Sequence, residues 1–368
     1  MGEWSHTGYA QRIVFGAGSV RRLGELLEAL GARRALLVTT RGRLASADGA
    51  RVVAALGSVL VSTFAAVAPH VPAPLAQRAV GQARRDRVDA VVSFGGGSCA
   101  DLAKAVCYFV GREAGPPGAS GADQPALGHV SVPTTYSGAE LTPFFGMTDP
   151  ATGRKSGAGS PTIAPRAAVY DPELTVSTPP RVSAETGMNA LAHCVEIVYS
   201  PKRTPESEAL GLAGAARIVR ALPLVVEDPG DVAGRASMLE GAVLAGRCLQ
   251  NGTMGVHHGL AQLLGGRTGM AHGLANAVLL SHAVRFNAEA VPAEVRRLGE
   301  AIGAPDDPAG AIDALVARLG LPTRLGDCGV TLEDLEIVAQ LSRSNANVAA
   351  NPRPVSEDDA RAILAAAY

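Results

Sequence analysis

Hydrophobic positions in the first half of the chain gather into short runs rich in Val, Leu and Ala, at residues 34–40, 59–64, 88–94, 129–132 and 167–170. Between them lie amphipathic stretches such as 20–30 and 75–85, where polar positions recur at helical spacing. Strands that alternate with helices imply a mostly parallel sheet covered on both faces, the architecture of a nucleotide-binding α/β domain. Beyond Pro179-Pro180 the texture changes. Segments 183–199, 205–222, 233–248, 256–264 and 274–286 keep helical periodicity with few β-branched runs, so the second half is predicted to be all-helical. The pattern divides the chain into an α/β dinucleotide-binding domain at 1–178 and an all-helical domain at 179–368.

Composition sharpens this by exclusion. With 47% hydrophobic and 18% charged residues in a chain of 368, there is ample material for two buried cores. Lys+Arg 33 against Asp+Glu 34 leave a formal net charge of -1, so no global field draws nucleic acid or an anionic membrane. Five scattered cysteines without CxxC spacing (Cys99, Cys107, Cys194, Cys248, Cys328) speak for a reducing cytoplasm and against a disulfide scaffold. The opening residues lack a basic segment followed by an apolar one, so nothing marks export. Residues 52–77 carry no formal charge, yet Gly57, Ser58, Pro69, Pro72 and Pro74 interrupt them, which argues against a membrane helix.

The run at 88–94 leads straight into Gly95-Gly96-Gly97-Ser98 and then a helical stretch at 99–109. Glycines there let the backbone approach a pyrophosphate, while free N–H groups and the positive helix end face the anion. Gly95, Gly97 and Ala100 match the loose G-x-G-x-x-A pattern, and the strand–turn–helix context gives the match its weight. Ser98 and Asp101 have capping-box spacing, so Asp101 reads as a structural cap as readily as a ligand group. Only three lysines (Lys104, Lys155, Lys202) stand among thirty arginines, which singles out Lys104 and Lys155 as compact point charges near a phosphate; solvated surface lysines are the alternative. The strand end Thr39-Thr40 is followed by Arg41 and Arg43 with no acid before Asp48, a pattern that tolerates a 2′-phosphate and predicts use of NADPH alongside NADH.

In the helical half, Asn189 and His193 lie four residues apart on one helix face, and His257, His258, His272 and His282 fall within 26 residues. Imidazoles suit zinc or ferrous iron, but no carboxylate accompanies them at matching spacing, and Asn189 is a weaker ligand for a hard cation than Asp. A divalent metal is compatible with the pattern and not demanded by it. The competing reading makes some of these core histidines, His257 and His282 above all.

Taken together, Phe94-Gly-Gly-Gly-Ser98, Val132-Pro-Thr-Thr-Tyr-Ser-Gly138, Tyr170-Asp-Pro-Glu-Leu-Thr175, Gly187-Met-Asn-Ala-Leu-Ala-His193, Val256-His-His258, Leu263-Leu-Gly-Gly-Arg267 and Asn351-Pro-Arg-Pro354 resemble the iron-containing alcohol dehydrogenase superfamily, most closely its maleylacetate reductases. The resemblance covers nearly the whole chain. It implies a dehydroquinate synthase-like fold, catalysis in the cleft between the two domains, and often a homodimer. NADH or NADPH would be held by the glycine turn, Thr134, Thr135 and Ser137, with Thr39, Arg41 and Lys155 close by. A metal, where present, would fall at Asn189, His193, His258 and His272, and Asn in the first place implies reductases that work without iron. Two departures stand out: Gln262 occupies a position where relatives carry His, and Asp101 one where the reductases more often carry Gly.

The implied reaction is reduction of the carbon–carbon double bond of 2-maleylacetate to 3-oxoadipate, a step of aromatic degradation. Hydride adds to the alkene carbon β to the ketone, so His258 or His272 is expected to meet the enolate charge, and His257, His258 or water to supply the proton, with His193 beside them. Arg267 and Arg353 are the candidates for holding the dicarboxylate by forked recognition, with a helix cap or a surface ion pair as the alternative for either. Rival readings are a metal-dependent alcohol dehydrogenase or aldehyde reductase acting on a simple carbonyl substrate, a cyclase resembling dehydroquinate synthase, which three lysines disfavour, and a relative repurposed for biosynthesis.

Overall fold

The computed structural model describes residues 4–112, 127–150 and 155–368. The chain divides into two compact units. Gly8–Thr135 and Ala139–Ser177 form the first. Thr178–Tyr368 form the second, which also takes in the N-terminal segment up to Thr7 and the tripeptide Tyr136–Gly138. These two excursions are departures from a single division at residue 178.

In the first unit, β1 (Arg12–Phe15), β2 (Ala35–Val38), β3 (Leu60–Phe64), β4 (Ala90–Gly95), β5 (Gly128–Pro133) and β8 (Ala167–Tyr170) make one parallel sheet in the order β1-β8-β5-β4-β2-β3. β6 (Phe144–Thr148) and β7 (Lys155–Gly159) form a separate antiparallel pair. From β2 the order runs outward to β3, whereas from β4 it runs the other way through β5 to β8, so the direction of winding switches between β2 and β4. The carboxyl ends of strands at such a switch point are where α/β sheets bind ligands.

Successive residues on the strands point to opposite faces, and both faces are covered. Leu37, Val92, Val130 and Val169 meet Leu23 and Leu27 of α1 (Leu23–Ala29) and Val52 and Leu56 of α3 (Ala47–Leu56). Leu36, Val38 and Val91 meet Ala76, Ala79 and Val80 of α4 (Ala73–Arg85) and Leu102, Ala103 and Val106 of α5 (Gly97–Arg112). Double-sided burial explains the continuous apolar runs of the sequence. The short α2 (Arg41–Leu44) follows β2, started by Thr40, whose side chain accepts from the Arg43 amide.

The second unit holds α6 (Pro180–Tyr199), α7 (Pro205–Glu227), α8 (Val232–Asn251), α9 (Val256–Thr268), α10 (His272–Ala288), α11 (Pro292–Ile302), α12 (Pro308–Arg318), α13 (Leu332–Ser342), α14 (Ala346–Ala349) and α15 (Glu357–Ala366). Pro at the first position, where its missing N–H costs nothing, starts α6, α7, α11 and α12. α6 is buried along nearly its whole length and packs against α7, α8 and α10. A second core joins Val256, Leu260 and Leu264 of α9 to Leu274 and Val278 of α10, Leu335 and Val338 of α13, and Ile363 and Leu364 of α15. The 23-residue α7 is long and apolar enough to cross a bilayer, but it packs on α6 and α8 and buries Gly211, Gly214, Ala215, Ile218 and Leu222 there.

Candidate active site

At the switch point of the sheet unit, Gly95 has a φ of +142°, and a side chain on it would meet Cys99 Sγ at 2.6 Å. A Cβ on Gly96 would lie 3.1 Å from Thr135 Cγ2. The turn is therefore compact enough to demand glycine and leaves the first amides of α5 open. Thr134 N–H donates to the Gly95 carbonyl at 2.9 Å, which brings the Thr134-Thr135 segment onto the turn. The Thr135 hydroxyl is buried with no protein partner, a polar group left for a ligand. Gly95, Gly96, Gly97, Ser98, Thr134 and Thr135 thus converge.

Other residues expected at the cofactor do something else. Thr39 is fully buried, and its hydroxyl donates to the Phe94 carbonyl at 2.8 Å, tying β2 to β4 instead of facing a ligand. Lys104 buries its ammonium against Asp101 Oδ1 (2.8 Å), the Ala139 carbonyl (2.8 Å) and Thr142 Oγ1 (2.9 Å), so it braces the turn before β6 and is no phosphate ligand. Asp101 is a structural group, as one of its two readings had it, though through Lys104. Arg41 is exposed at the end of β2, while Arg43 donates to Ser177. Ser137 belongs to the helical unit, where its carbonyl accepts from Asn189 Nδ2 at 3.5 Å. The Lys155 side chain lies outside the described residues.

The helical unit brings the histidines together. His193 on α6 and His258 on α9 stack with ring centroids 4.7 Å apart and planes 18° from parallel. His257 meets His258 edge-on at 5.0 Å, and His272, the first residue of α10, lies 6.0 Å from it. Asn189, one turn before His193, offers its Oδ1 to Asn276 Nδ2 at 2.6 Å. His282 stands apart, near Asp313 and Arg285.

Glu196 organises this group. It lies three residues after His193 and seven after Asn189, on the same face of α6. Its Oε1 accepts from the backbone N–H groups of Gly255 (2.9 Å) and His257 (3.1 Å), and its Oε2 from His258 Nδ1 (2.5 Å). A carboxylate from one helix thereby caps the start of another, which satisfies open amides and the positive helix end together. Burial alone would push the Glu196 carboxyl up, but the bonds from His257 and His258 win and hold it well below the usual carboxylate range. Burial lowers His258, against the opposing pull of Glu196, and lowers His193 further with help from His258 and His272. Both rings are therefore neutral near pH 7. His258 Nε2 and His193 Nδ1 are buried without a protein partner.

Neutral imidazoles with open nitrogens fit a borderline cation such as zinc or ferrous iron. Asn189 fits less well as a fourth ligand, since its oxygen is turned to Asn276.

Comparison with known proteins agrees with this geometry. Residues 10–172 match the profile of the iron-containing alcohol dehydrogenases, and residues 183–368 that of the C-terminal part of the Fe-containing alcohol dehydrogenase family. Maleylacetate reductase from Burkholderia cepacia is 36% identical over 357 residues, 97% of this chain and 95% of that one. The chain belongs to the iron-containing alcohol dehydrogenase family. Within that family, the crystal structure of maleylacetate reductase from Agrobacterium tumefaciens superposes with a TM-score of 0.89 at 32% identity, covering 100% of this chain and 99% of that one. Sulfoacetaldehyde reductase from Bifidobacterium kashiwanohense, solved in complex with NAD+, superposes with a TM-score of 0.90 at 26% identity, covering 100% and 99%.

Several expectations about individual residues of this family member need correction. His257 is fully buried, with Nε2 on the Asn276 carbonyl (2.9 Å) and Nδ1 on His258 (3.2 Å), so both nitrogens serve its neighbours and neither is left for a substrate. Arg267 stands at the far end of α9 and bonds Asp334 of α13 at 2.8 Å. Arg353 donates to the Phe286 carbonyl at 3.0 Å and lies 4.0 Å over the Phe286 ring. Both arginines join elements of the fold, the pairing that is the alternative to holding a dicarboxylate. Gln262 is exposed and accepts from Asn347 Nδ2 at 3.1 Å, outside the buried cluster. Sequence reasoning missed Glu196 and Asn276, although each sits one helical turn from a singled-out histidine.

Proposed function

We propose that this chain is an NAD(P)H-dependent maleylacetate reductase, which converts 2-maleylacetate to 3-oxoadipate. The observation that carries the reading is His258 Nε2, a buried nitrogen without a protein partner on an imidazole braced by a carboxylate. When bound at the glycine turn, the dinucleotide supplies the hydride, which adds to the alkene carbon β to the ketone. Charge then develops on the ketone oxygen, and His272 at the start of α10 is the group we assign to meet it. One proton must also reach the carbon next to the ketone. Of the four clustered imidazoles, His258 is the one whose ring has a carboxylate at hydrogen-bond distance, so a proton that its Nε2 takes up from water before the substrate binds is offset by Glu196, and His258 holds that proton and passes it to the carbon. Burial of the cluster keeps bulk water from competing. Where a divalent ion is bound, His193, His258 and His272 would hold it, and it would polarise the ketone oxygen. No step above depends on one.

Arg41, exposed at the end of β2, is the group we assign to a 2′-phosphate, which makes NADPH a substrate beside NADH. Action as a homodimer in the cytoplasm completes the reading; five free thiols, four of them buried, support the reducing compartment. The test follows oxidation of NADH and NADPH with maleylacetate and with a panel of aldehydes, before and after chelation. Turnover of maleylacetate to 3-oxoadipate that survives the chelator is expected. Turnover of aldehydes alone, lost on chelation, would replace this reading with a metal-dependent aldehyde reductase.

A further inference from the structure

The hydrogen positions around His258 follow from its neighbours. Glu196 Oε2, a carboxylate oxygen that only accepts, lies 2.5 Å from His258 Nδ1, so that nitrogen carries a hydrogen. His257 Nδ1 lies 3.2 Å from the same atom, and two N–H groups cannot face each other there. His257 Nδ1 is therefore bare, which puts the His257 hydrogen on Nε2. That atom sits 2.9 Å from the Asn276 backbone carbonyl, again a pure acceptor. From both ends, Glu196 and the Asn276 carbonyl demand the same arrangement. A neutral His258 then has one bare nitrogen, Nε2, which is the buried atom without a partner.

Another occupant of this spot would be a metal ion, since Glu196 Oε2, His257 Nδ1 and His258 Nδ1 all lie within 4.8 Å of one another. The 2.5 Å between Glu196 and His258 is shorter than the roughly 3.3 Å between two ligands about 2.0 Å from a tetrahedral ion, and it fits one shared hydrogen.

We infer that Glu196 is a positioning residue that locks the resting hydrogen of His258 on Nδ1 and so keeps Nε2 as the nitrogen that takes up, and then passes on, the proton the substrate carbon needs. Its effect on turnover rests on the maleylacetate reductase reading, while its geometry does not. Loss of the carboxylate should reverse the pattern. In Glu196→Gln the amide oxygen stays with the N–H groups of Gly255 and His257, the NH2 turns to His258 Nδ1, and the imidazole hydrogen moves to Nε2.

The experiment is a long-range proton–nitrogen correlation spectrum of protein labelled with nitrogen-15 histidine, with the His258 signals identified by their loss in His258→Asn. The parent protein is expected to carry the His258 hydrogen on Nδ1 and Glu196→Gln to carry it on Nε2. In the same variant kcat should fall about 10- to 100-fold while KM for maleylacetate stays within about threefold. A parent spectrum with the hydrogen on Nε2, or a folded Glu196→Gln with unchanged kcat, would overturn the inference. The parent spectrum needs no variant, so it decides the point even if Glu196→Gln does not fold. Should the hydrogens fall as expected while maleylacetate is not reduced, the substrate assignment fails and the role of Glu196 stands.

Discussion

Gln262 and His258 stand one turn apart on α9, yet one faces solvent and Asn347 while the other is buried against Glu196. Gln262 therefore lies outside the buried cluster to which the proposed proton route is assigned. Gln262→Ala is expected to leave kcat for maleylacetate within about twofold and to lower stability by less than about 1 kcal/mol, read from steady-state rates and urea unfolding. Arg41 should behave differently. Arg41→Ala removes a charge-assisted bond to a 2′-phosphate, so KM for NADPH should rise about tenfold and KM for NADH about twofold at most; equal changes would remove Arg41 from the site. Histidines could be read from the sequence because their chemistry is distinctive and their spacing regular. Glu196 could not, because one acid among 34 Asp and Glu residues looks like any solvated carboxylate until α9 is seen to begin on it. Arg267 is ambiguous in sequence for the opposite reason: a guanidinium that recognises a substrate carboxylate recognises Asp334 equally well.

At the scale of elements, legibility followed the origin of each element's stability. β2, β4 and β8 are buried along their whole length, so their apolar runs announced them. The β6–β7 pair went unpredicted because Lys155–Gly159 reads Lys-Ser-Gly-Ala-Gly, with no β-branched residue; pairing with β6 makes that strand, not propensity. β1 escaped notice as well, since its four residues show only Val14 buried. The glycine turn was legible because its residue types are dictated by backbone shape. Gly96→Val should push Thr135 off the turn, raising KM for both dinucleotides about tenfold or more while unfolding by urea changes little; an unchanged KM would detach the turn from the cofactor.

For the whole molecule, buried neutral imidazoles set the acid limit. His129 lies among Ser93 and Ser131 in the sheet, and burial, helped by the charge of Lys104, lowers it from 6.5 to about 3. Above 6.5 the folded and unfolded chains are both neutral at this site, and stability is fully present. As pH falls from 6.5 towards about 3, only the unfolded chain takes up the proton, so stability is lost across that window, on the order of a few kcal/mol for this group. His193 and His258 are lowered by burial and act in the same direction. Urea midpoints should therefore drop between about pH 6.5 and about pH 4, and His129→Gln should flatten the drop; a slope unchanged by that substitution would exonerate His129.

Arg235 is wholly buried, and its guanidinium donates to Tyr136 Oη at 3.0 Å, Ser183 Oγ at 2.7 Å and the Thr178 carbonyl at 3.2 Å. Gly138, with a φ of +77°, lets the same tripeptide press to within 3.0 Å of Gly246 Cα, measured from where its Cβ would be. A gene cut at codon 178 would thus yield a C-terminal half missing three of its own bricks, with a cation opposite a hole. A cut ahead of Tyr136 would instead take β8 out of the middle of the sheet, so no single breakpoint leaves both units whole, and the halves are poor candidates for shuffling as interchangeable modules.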